Sequence, residues 1–120
     1  MEDKVVLITG AGQRLGAAAA AMLMDAGCHV LIHVRSSVAE ANPIVDAATA
    51  RNGSVRGTVL TADLTKDDQV DALISDVKNH PLVHANGLFG LVHNASFYSQ
   101  GDFEIIPLET YRSLNRLHME

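Results

Sequence analysis

The sequence predicts an α/β fold, a doubly wound parallel sheet with helices on both of its faces. Short β-branched and aliphatic runs alternate with alanine-rich or amphipathic stretches at intervals of about 25 to 30 residues, and this alternation is typical of βαβ units. The first run, Lys4 to Thr9, is nearly all apolar, as expected of a parallel strand covered on both faces. A glycine-containing loop then joins this strand directly to a helical stretch.

The composition fits one folded domain that binds neither nucleic acid nor membrane. Of the 120 residues, 48% are hydrophobic and 19% charged, which is enough apolar material for a core. The net charge of −5 and the lack of a lysine or arginine run argue against nucleic acid, because that affinity depends on clustered cations. The uncharged stretch from Leu15 to Met24 has ten residues, well short of the roughly 18 needed to cross a bilayer.

Two features predict a cytoplasmic protein. The acidic start, Met1 to Lys4, does not have the basic and then apolar layout of a signal peptide. The single cysteine, Cys28, cannot form an internal disulfide. We expect Cys28 to be a small buried hydrophobe.

The first half of the chain predicts a second strand and two helices. Alanine, leucine and methionine favour a helix from Leu15 to Ala26, which Gly27 ends, and His29 to Val34 forms the second strand. The next helix has two candidate starts. Ser37 with Glu40 has capping-box spacing, but Asn42 as the cap keeps Pro43 at the first helical position. We favour Asn42, with the helix ending near Arg51 ahead of Gly53.

The second half predicts two more strands and two more helices. The strands are Val55 to Thr61 and Leu88 to His93. Thr65 and Asp68 have capping-box spacing at the start of the helix between them. Its apolar face contains Val70, Leu73, Ile74 and Val77. A last helix carries Tyr111, Leu114 and either Leu117 or His118 on one face. Right-handed crossovers then give the spatial strand order 3-2-1-4.

The loop after the first strand predicts a pyrophosphate site. Helix N-termini at the carboxyl edge of a parallel sheet present N–H groups and a partial positive charge to anions. Glycines there let a phosphate approach the main chain. The alternative is a turn that only packs helix on strand, and the strand–loop–helix order argues against it. The expected cofactor contacts in the loop are Gly10, Gly12, Arg14, Leu15 and Gly16.

The end of the second strand favours NADP (NADPH) over NAD. A carboxylate at this point would bind the ribose hydroxyls of NAD, but the strand ends in His33, Val34, Arg35 and Ser36 without an acid. Arg35 offers a planar fork for a 2′-phosphate and Ser36 a hydroxyl, with Arg14 as a second cation. His33 is included among the cofactor contacts. The alternative for Arg35 is a solvated loop cation.

Three segments resemble the short-chain dehydrogenase/reductase superfamily. Thr9 to Gly16 resembles its Thr-Gly-x-x-x-Gly-x-Gly loop, with Arg14 in place of the middle glycine. That arginine, followed by Leu-Gly, is similar to the pteridine reductases and dihydromonapterin reductases. Ala62 to Leu64 looks like the segment with the adenine-contacting Asp, and Leu91 to Ser96 looks like the Asn-Asn-Ala-Gly strand end. Ser96 in place of the last glycine, followed by Phe97, again resembles the pterin-reducing branch.

The resemblance implies site residues and a reaction. The implied additional cofactor contacts are Asp63, Leu64, Asn94, Ala95 and Ser96. Arg14, Ser96 and Phe97 are implied substrate contacts, with Phe97 stacking on a pterin ring. Tyr98 is an alternative to Phe97, and core packing is another use of this aromatic. His118 falls where many members have the Asn of the catalytic tetrad. The implied reaction is NADPH-dependent reduction of a pterin or dihydropterin.

The implied proton donor is missing from these residues. The family uses a Tyr followed four residues later by a Lys, whereas Tyr98 is followed at that offset by Asp102 and Tyr111 by Asn115. Family members are also roughly twice as long. We therefore expect residues 1–120 to be the N-terminal half of a single NADP-binding Rossmann domain, with only the first four strands and helices. The full-length protein is expected to be a homo-oligomer.

Two other functions stay open, and no metal is expected. The chain could be a non-catalytic NADP-binding module, or part of a short-chain reductase of a ketone or ketoacyl substrate. His80 and His84 are four residues apart, but Pro81 between them argues against a regular helix and no Glu completes a zinc motif. We expect surface or packing roles for them.

Overall fold

The computed structural model describes residues 4–9, 14–35 and 38–93, and these residues form a four-stranded parallel sheet. The strands are β1 (Val5–Thr9), β2 (His29–Val34), β3 (Gly57–Thr61) and β4 (Gly90–His93). Their order is β3-β2-β1-β4, and every pairing is parallel. The predicted α/β class, the strand order and the Rossmann-type topology are confirmed.

Helices cover both faces of this sheet. They are α1 (Arg14–Asp25), α2 (Asn42–Asn52), α3 (Asp67–Asn79) and the short α4 (Pro81–Asn86). Alternate residues of β1 enter two separate apolar clusters. Val5 and Leu7 pack with α3, whereas Val6 and Ile8 pack with α1 and α2. A strand buried on both sides needs apolar residues at every position, which explains its continuous apolar run.

The turn between α1 and β2 agrees with the sequence prediction. Gly27 has a left-handed φ of 103°, and its N–H donates to the Met24 carbonyl at 3.1 Å. The Cys28 N–H donates to the Leu23 carbonyl at 3.0 Å. These bonds satisfy carbonyls at the end of the helix. Cys28 itself is fully buried, as expected.

The start of α2 differs from the favoured prediction by one residue. Asn42 is the first helical residue, and Ala41 stands at the cap without a side-chain hydrogen bond. A 3₁₀ turn, Val38–Glu40, precedes it. Ala41 is fully buried in the cluster beneath α1 and α2, so burial fixes the helix entry here in place of a polar cap. At the other end Gly53 adopts the expected left-handed conformation, with φ 76°.

The predicted capping box of α3 is wrong. The cap residue is Lys66, which makes no side-chain capping bond. Thr65 lies before it and bonds instead to Asp63 through both its N–H and its hydroxyl. The predicted apolar face is confirmed, because Val70, Leu73 and Val77 are all buried.

A short helix was not expected after Pro81, yet α4 begins there. Proline suits the first helical position because no N–H is needed from it. His80 caps the helix, its Nδ1 accepting from the Leu82 N–H at 3.2 Å. Its Nε2 lies 3.3 Å from Thr58 Oγ1, and the His29 Nε2 lies 2.9 Å from the same oxygen. His80 thus has the expected packing role.

Two strands are shorter than predicted. β3 begins at Gly57 and not at Val55, and β4 at Gly90 and not at Leu88. Val55 is exposed, so its side chain gives no reason for the strand to extend to it. At Gly57 a Cβ would lie 2.8 Å from a methyl of Val45, so only glycine allows α2 to pack this closely.

Candidate functional site

The carboxyl ends of all four strands meet at one edge of the sheet. Thr9 at the end of β1 is in register with His93 of β4, and Val34 of β2 with Thr61 of β3. In open parallel sheets this edge is where ligands bind. Residues 10–13 link the end of β1 to the start of α1, so the helix N-terminus lies at the same edge.

The N-terminus of α1 suits an anion. Its first turn, which starts at Arg14 and Leu15, contains no acidic residue, so no side-chain charge opposes the positive end of the helix dipole. Gly16 is buried within this turn. These properties fit the predicted pyrophosphate contact.

Arg35 follows β2 at the same edge and carries its positive charge largely in solvent. Some 62% of its side chain is exposed. One guanidinium nitrogen, Nη2, lies 3.7 Å from Oδ2 of Asp63, which follows β3. An exposed guanidinium at this position fits a ligand phosphate.

Asp63 is held by a local network of hydrogen bonds. Its Oδ1 accepts from the Thr65 N–H at 3.0 Å and the Thr65 hydroxyl at 2.6 Å. Its own N–H donates to the Gln69 Oε1 at 2.6 Å. The hydrogen bonds from Thr65 lower the pKa of the Asp63 carboxyl, and the charges of Arg35 and Lys66 lower this pKa further. The group is therefore a fixed carboxylate at neutral pH.

His33 joins the ends of β2 and β3 from inside the protein. Its side chain is fully buried, and its Nε2 lies 2.8 Å from the Ala62 carbonyl oxygen, to which it donates. The Ala62 N–H in turn donates to the Val34 carbonyl at 3.1 Å. Burial lowers the pKa of His33, although the bond to Ala62 opposes this. Leu64, the residue after Asp63, is also fully buried and belongs to the core cluster packed with α3.

The structure brings some of the predicted site residues together and leaves others undescribed. Arg35 and Asp63 are in contact, while His33 and Leu64 support them from the core. Arg14 and Leu15 are described only as the first residues of α1. The remaining predicted site residues lie outside the described residues, namely Gly10, Gly12, Ser36, Asn94, Ala95, Ser96, Phe97 and His118. Their roles stay predictions.

Sequence reasoning missed the support around Asp63. The Asp-x-Thr spacing of Asp63 and Thr65 is typical of an Asx-type turn, and it was interpreted instead as part of a helix cap. Gln69 gave no local signal, because its bond to the Asp63 N–H spans six residues.

Two general properties complete the description of the site. Within residues 4–9, 14–35 and 38–93, no three His, Cys, Asp or Glu side chains are grouped so that they could hold a metal ion. In the same part of the chain no helix has the length and apolar character needed to cross a membrane.

A family model and several curated relatives match nearly the whole chain. The family model described as short chain dehydrogenase matches residues 4–118. A probable tetrahydroxynaphthalene reductase of Zymoseptoria tritici is 30% identical over 118 residues, which are 98% of this chain and 42% of that protein. The chain thus spans less than half the length of this relative.

Two solved structures share the fold. One is the L-sorbose reductase of Gluconobacter frateurii complexed with NADPH and L-sorbose, with 26% identity and a TM-score of 0.66 over 82% of this chain and 35% of that chain. The other is a β-ketoacyl-[ACP] reductase from Bacteroides thetaiotaomicron, with a TM-score of 0.76 over 99% of this chain and 54% of that chain. At 23% identity, the second similarity shows the fold alone.

Proposed function

Because the chain belongs to the short-chain dehydrogenase family, we propose that it binds NADPH and takes part in reducing a C=N or C=O bond of a small molecule. In this proposal residues 1–120 form the N-terminal half of a single NADP-binding domain. The observation that carries the choice of cofactor is the largely exposed Arg35 at the end of β2, a strand end that supplies no carboxylate.

In this proposal different residues at the carboxyl edge bind different parts of the cofactor. The N-terminus of α1, with Gly10, Gly12 and Gly16, binds the pyrophosphate. Arg35, Ser36 and Arg14 bind the 2′-phosphate, since charge-assisted hydrogen bonds to phosphate are strong and directional. The adenine side is formed by Asp63 and Leu64, and the nicotinamide side by Asn94, Ala95 and Ser96. His33 contributes by holding the Ala62 carbonyl.

The chemistry divides between the cofactor and the chain. Bound NADPH supplies the hydride. Phe97 and Ser96 orient the substrate ring, and Arg14 contributes a positive charge beside it. Reduction also needs a proton donor at the receiving end, and we propose that this is a Tyr-x-x-x-Lys pair in sequence beyond residue 120. His118 occupies the tetrad position that helps to organise that donor.

A pterin or dihydropterin is the proposed substrate. Support comes from the sequence of the cofactor loop, Arg14-Leu15-Gly16, and from Ser96 followed by Phe97, the features that resemble pteridine reductases. A second candidate is an aromatic or acyl ketone, which is favoured by the 30% identity to a tetrahydroxynaphthalene reductase.

A substrate comparison tests this choice. We would measure NADPH oxidation by the full-length protein with dihydrobiopterin, with a hydroxynaphthalenone and with an acetoacetyl thioester. We expect the highest kcat/KM for dihydrobiopterin. A higher kcat/KM for either ketone would favour the second candidate substrate. Binding of NADPH without turnover of any of the three substrates would indicate a non-catalytic NADP-binding module.

We also propose that the full-length protein is a cytoplasmic homo-oligomer. The buried free thiol of Cys28 suits a reducing compartment. Size-exclusion chromatography with light scattering would measure the oligomeric state, and a monomer would contradict this part of the proposal.

A further inference from the structure

The ion pair at the cofactor edge joins two very different side chains. The Arg35 side chain is 62% exposed, whereas that of Asp63 is only 16% exposed. Long exposed side chains move easily between rotamers, while a short one that is largely enclosed and hydrogen-bonded does not. Arg35 is therefore the partner that can move.

The Asp63 carboxylate is fixed from several directions. Thr65 donates two hydrogen bonds to Oδ1, so the group resists rotation. The backbone on either side is held by the Gln69 side chain and by the Lys66 N–H, which donates to the Asp63 carbonyl at 3.0 Å. The preceding residue, Ala62, is anchored to both β2 residues His33 and Val34. Oδ2 is left facing Arg35.

This arrangement sets a fixed negative charge against any phosphate that approaches Arg35. A 2′-phosphate that binds the Arg35 guanidinium must compete with the attraction between this group and the Asp63 carboxylate, whose Oδ2 lies 3.7 Å from Arg35 Nη2. The carboxylate cannot retreat, so it remains near the phosphate as a like charge, which is unfavourable. NADH has no 2′-phosphate, so neither the competition for Arg35 nor the repulsion by Asp63 weakens its binding.

We propose that Asp63 competes with the 2′-phosphate for Arg35 and thereby limits the preference for NADPH over NADH. The proposal rests on the proposed function, because it takes Arg35 as the 2′-phosphate ligand. It makes Asp63 a specificity-determining residue that acts through Arg35, in addition to its implied contact with adenine.

Paired binding measurements test this role. The dissociation constants of NADPH and NADH would be measured for the full-length protein, for Asp63→Asn and for the same change in an Arg35→Ala background. Asparagine keeps the acceptor for Thr65 and removes only the charge. We expect the ratio of the NADH constant to the NADPH constant to rise about two- to fivefold in Asp63→Asn, which is the range of a charge pair at the protein surface. In the Arg35→Ala background the ratio should not rise.

Controls separate this effect from a general loss of structure. Asp25→Asn removes the charge of another aspartate that pairs with an arginine, Arg51, and should leave the ratio unchanged. Asp63→Ser, which also removes the charge, should raise the ratio as Asp63→Asn does. A structural or adenine effect would change both dissociation constants equally. An unchanged or lower ratio in both Asp63 variants, or an equal rise without Arg35, would overturn the proposal.

Failure of the proposed function would be visible separately. If Arg35→Ala left the ratio of the two dissociation constants unchanged, both in the unsubstituted protein and in Asp63→Asn, Arg35 would not be the 2′-phosphate ligand. Both the role of Arg35 as the 2′-phosphate ligand and the role of Asp63 as its competitor would then be wrong.

Discussion

Arg35→Ala is the most direct test of the proposed 2′-phosphate site. A charge-assisted hydrogen bond contributes about 1.5–3 kcal/mol. Because 62% of the Arg35 side chain is exposed, solvent screening puts its contribution at the lower end of that range. A loss of about 1.4 kcal/mol corresponds to a tenfold change in affinity.

We therefore expect Arg35→Ala to weaken NADPH binding about tenfold and to leave NADH within about twofold. Fluorescence titration of the reduced nicotinamide measures both constants in one buffer. Salt should reduce the effect, since an exposed charge pair is screened.

Arg51→Ala provides a matched control. Arg51 also pairs with an aspartate, Asp25 at 3.1 Å, and is 46% exposed. It lies in the last turn of α2, and α2 runs from the carboxyl edge of β2 back toward the start of β3. Its loss should change neither constant. If Arg35→Ala weakened NADPH and NADH equally, the reasoning from exposure and charge would be refuted.

Three further outcomes are expected. The free energy of unfolding, measured by urea titration, should fall as the pH drops below about 6.5. Burial lowers the pKa of His29 and His33 in the folded protein, so the unfolded chain takes up protons first. Equal free energies at neutral and mildly acidic pH would contradict this. Leu73→Ala should lower the free energy of unfolding by about 2–5 kcal/mol because the side chain is buried. Asp71→Ala, at an exposed position of the same helix, should change it by no more than about 0.5 kcal/mol. Similar losses for the two variants would contradict the packing of Leu73. Residues 1–120 alone should show no NADPH-dependent reduction of dihydropterins, since general acid catalysis contributes about 10²- to 10⁴-fold; steady turnover by this chain would mean that the proton donor lies within it.

The sheet could be predicted because its signals are local. The apolar run of β1 reports burial on both faces, and the bounds predicted for β2 are those observed. The handedness of the crossovers then fixes the strand order. These properties depend on neighbouring residues and on general rules, which the sequence contains.

The errors arose where side chains had competing partners. Thr65 has the spacing of a helix cap, but Asp63 lies two residues before it and takes its hydroxyl. Pro81 was interpreted as a helix breaker, although His80 before it provides a cap. The Arg35–Asp63 contact depends on the pairing of β2 with β3, and no local pattern contains that register.

The contacts of His80 determine where the proton lies in its own ring. Because Nδ1 accepts from the Leu82 N–H, the neutral ring carries its proton on Nε2 and donates it to Thr58 Oγ1. The Thr58 oxygen also lies 2.9 Å from the His29 Nε2, and a hydroxyl can accept two hydrogen bonds and donate one. One main-chain N–H at the beginning of α4 thus sets the tautomer of His80, and one hydroxyl connects that ring to His29, 51 positions earlier in the chain.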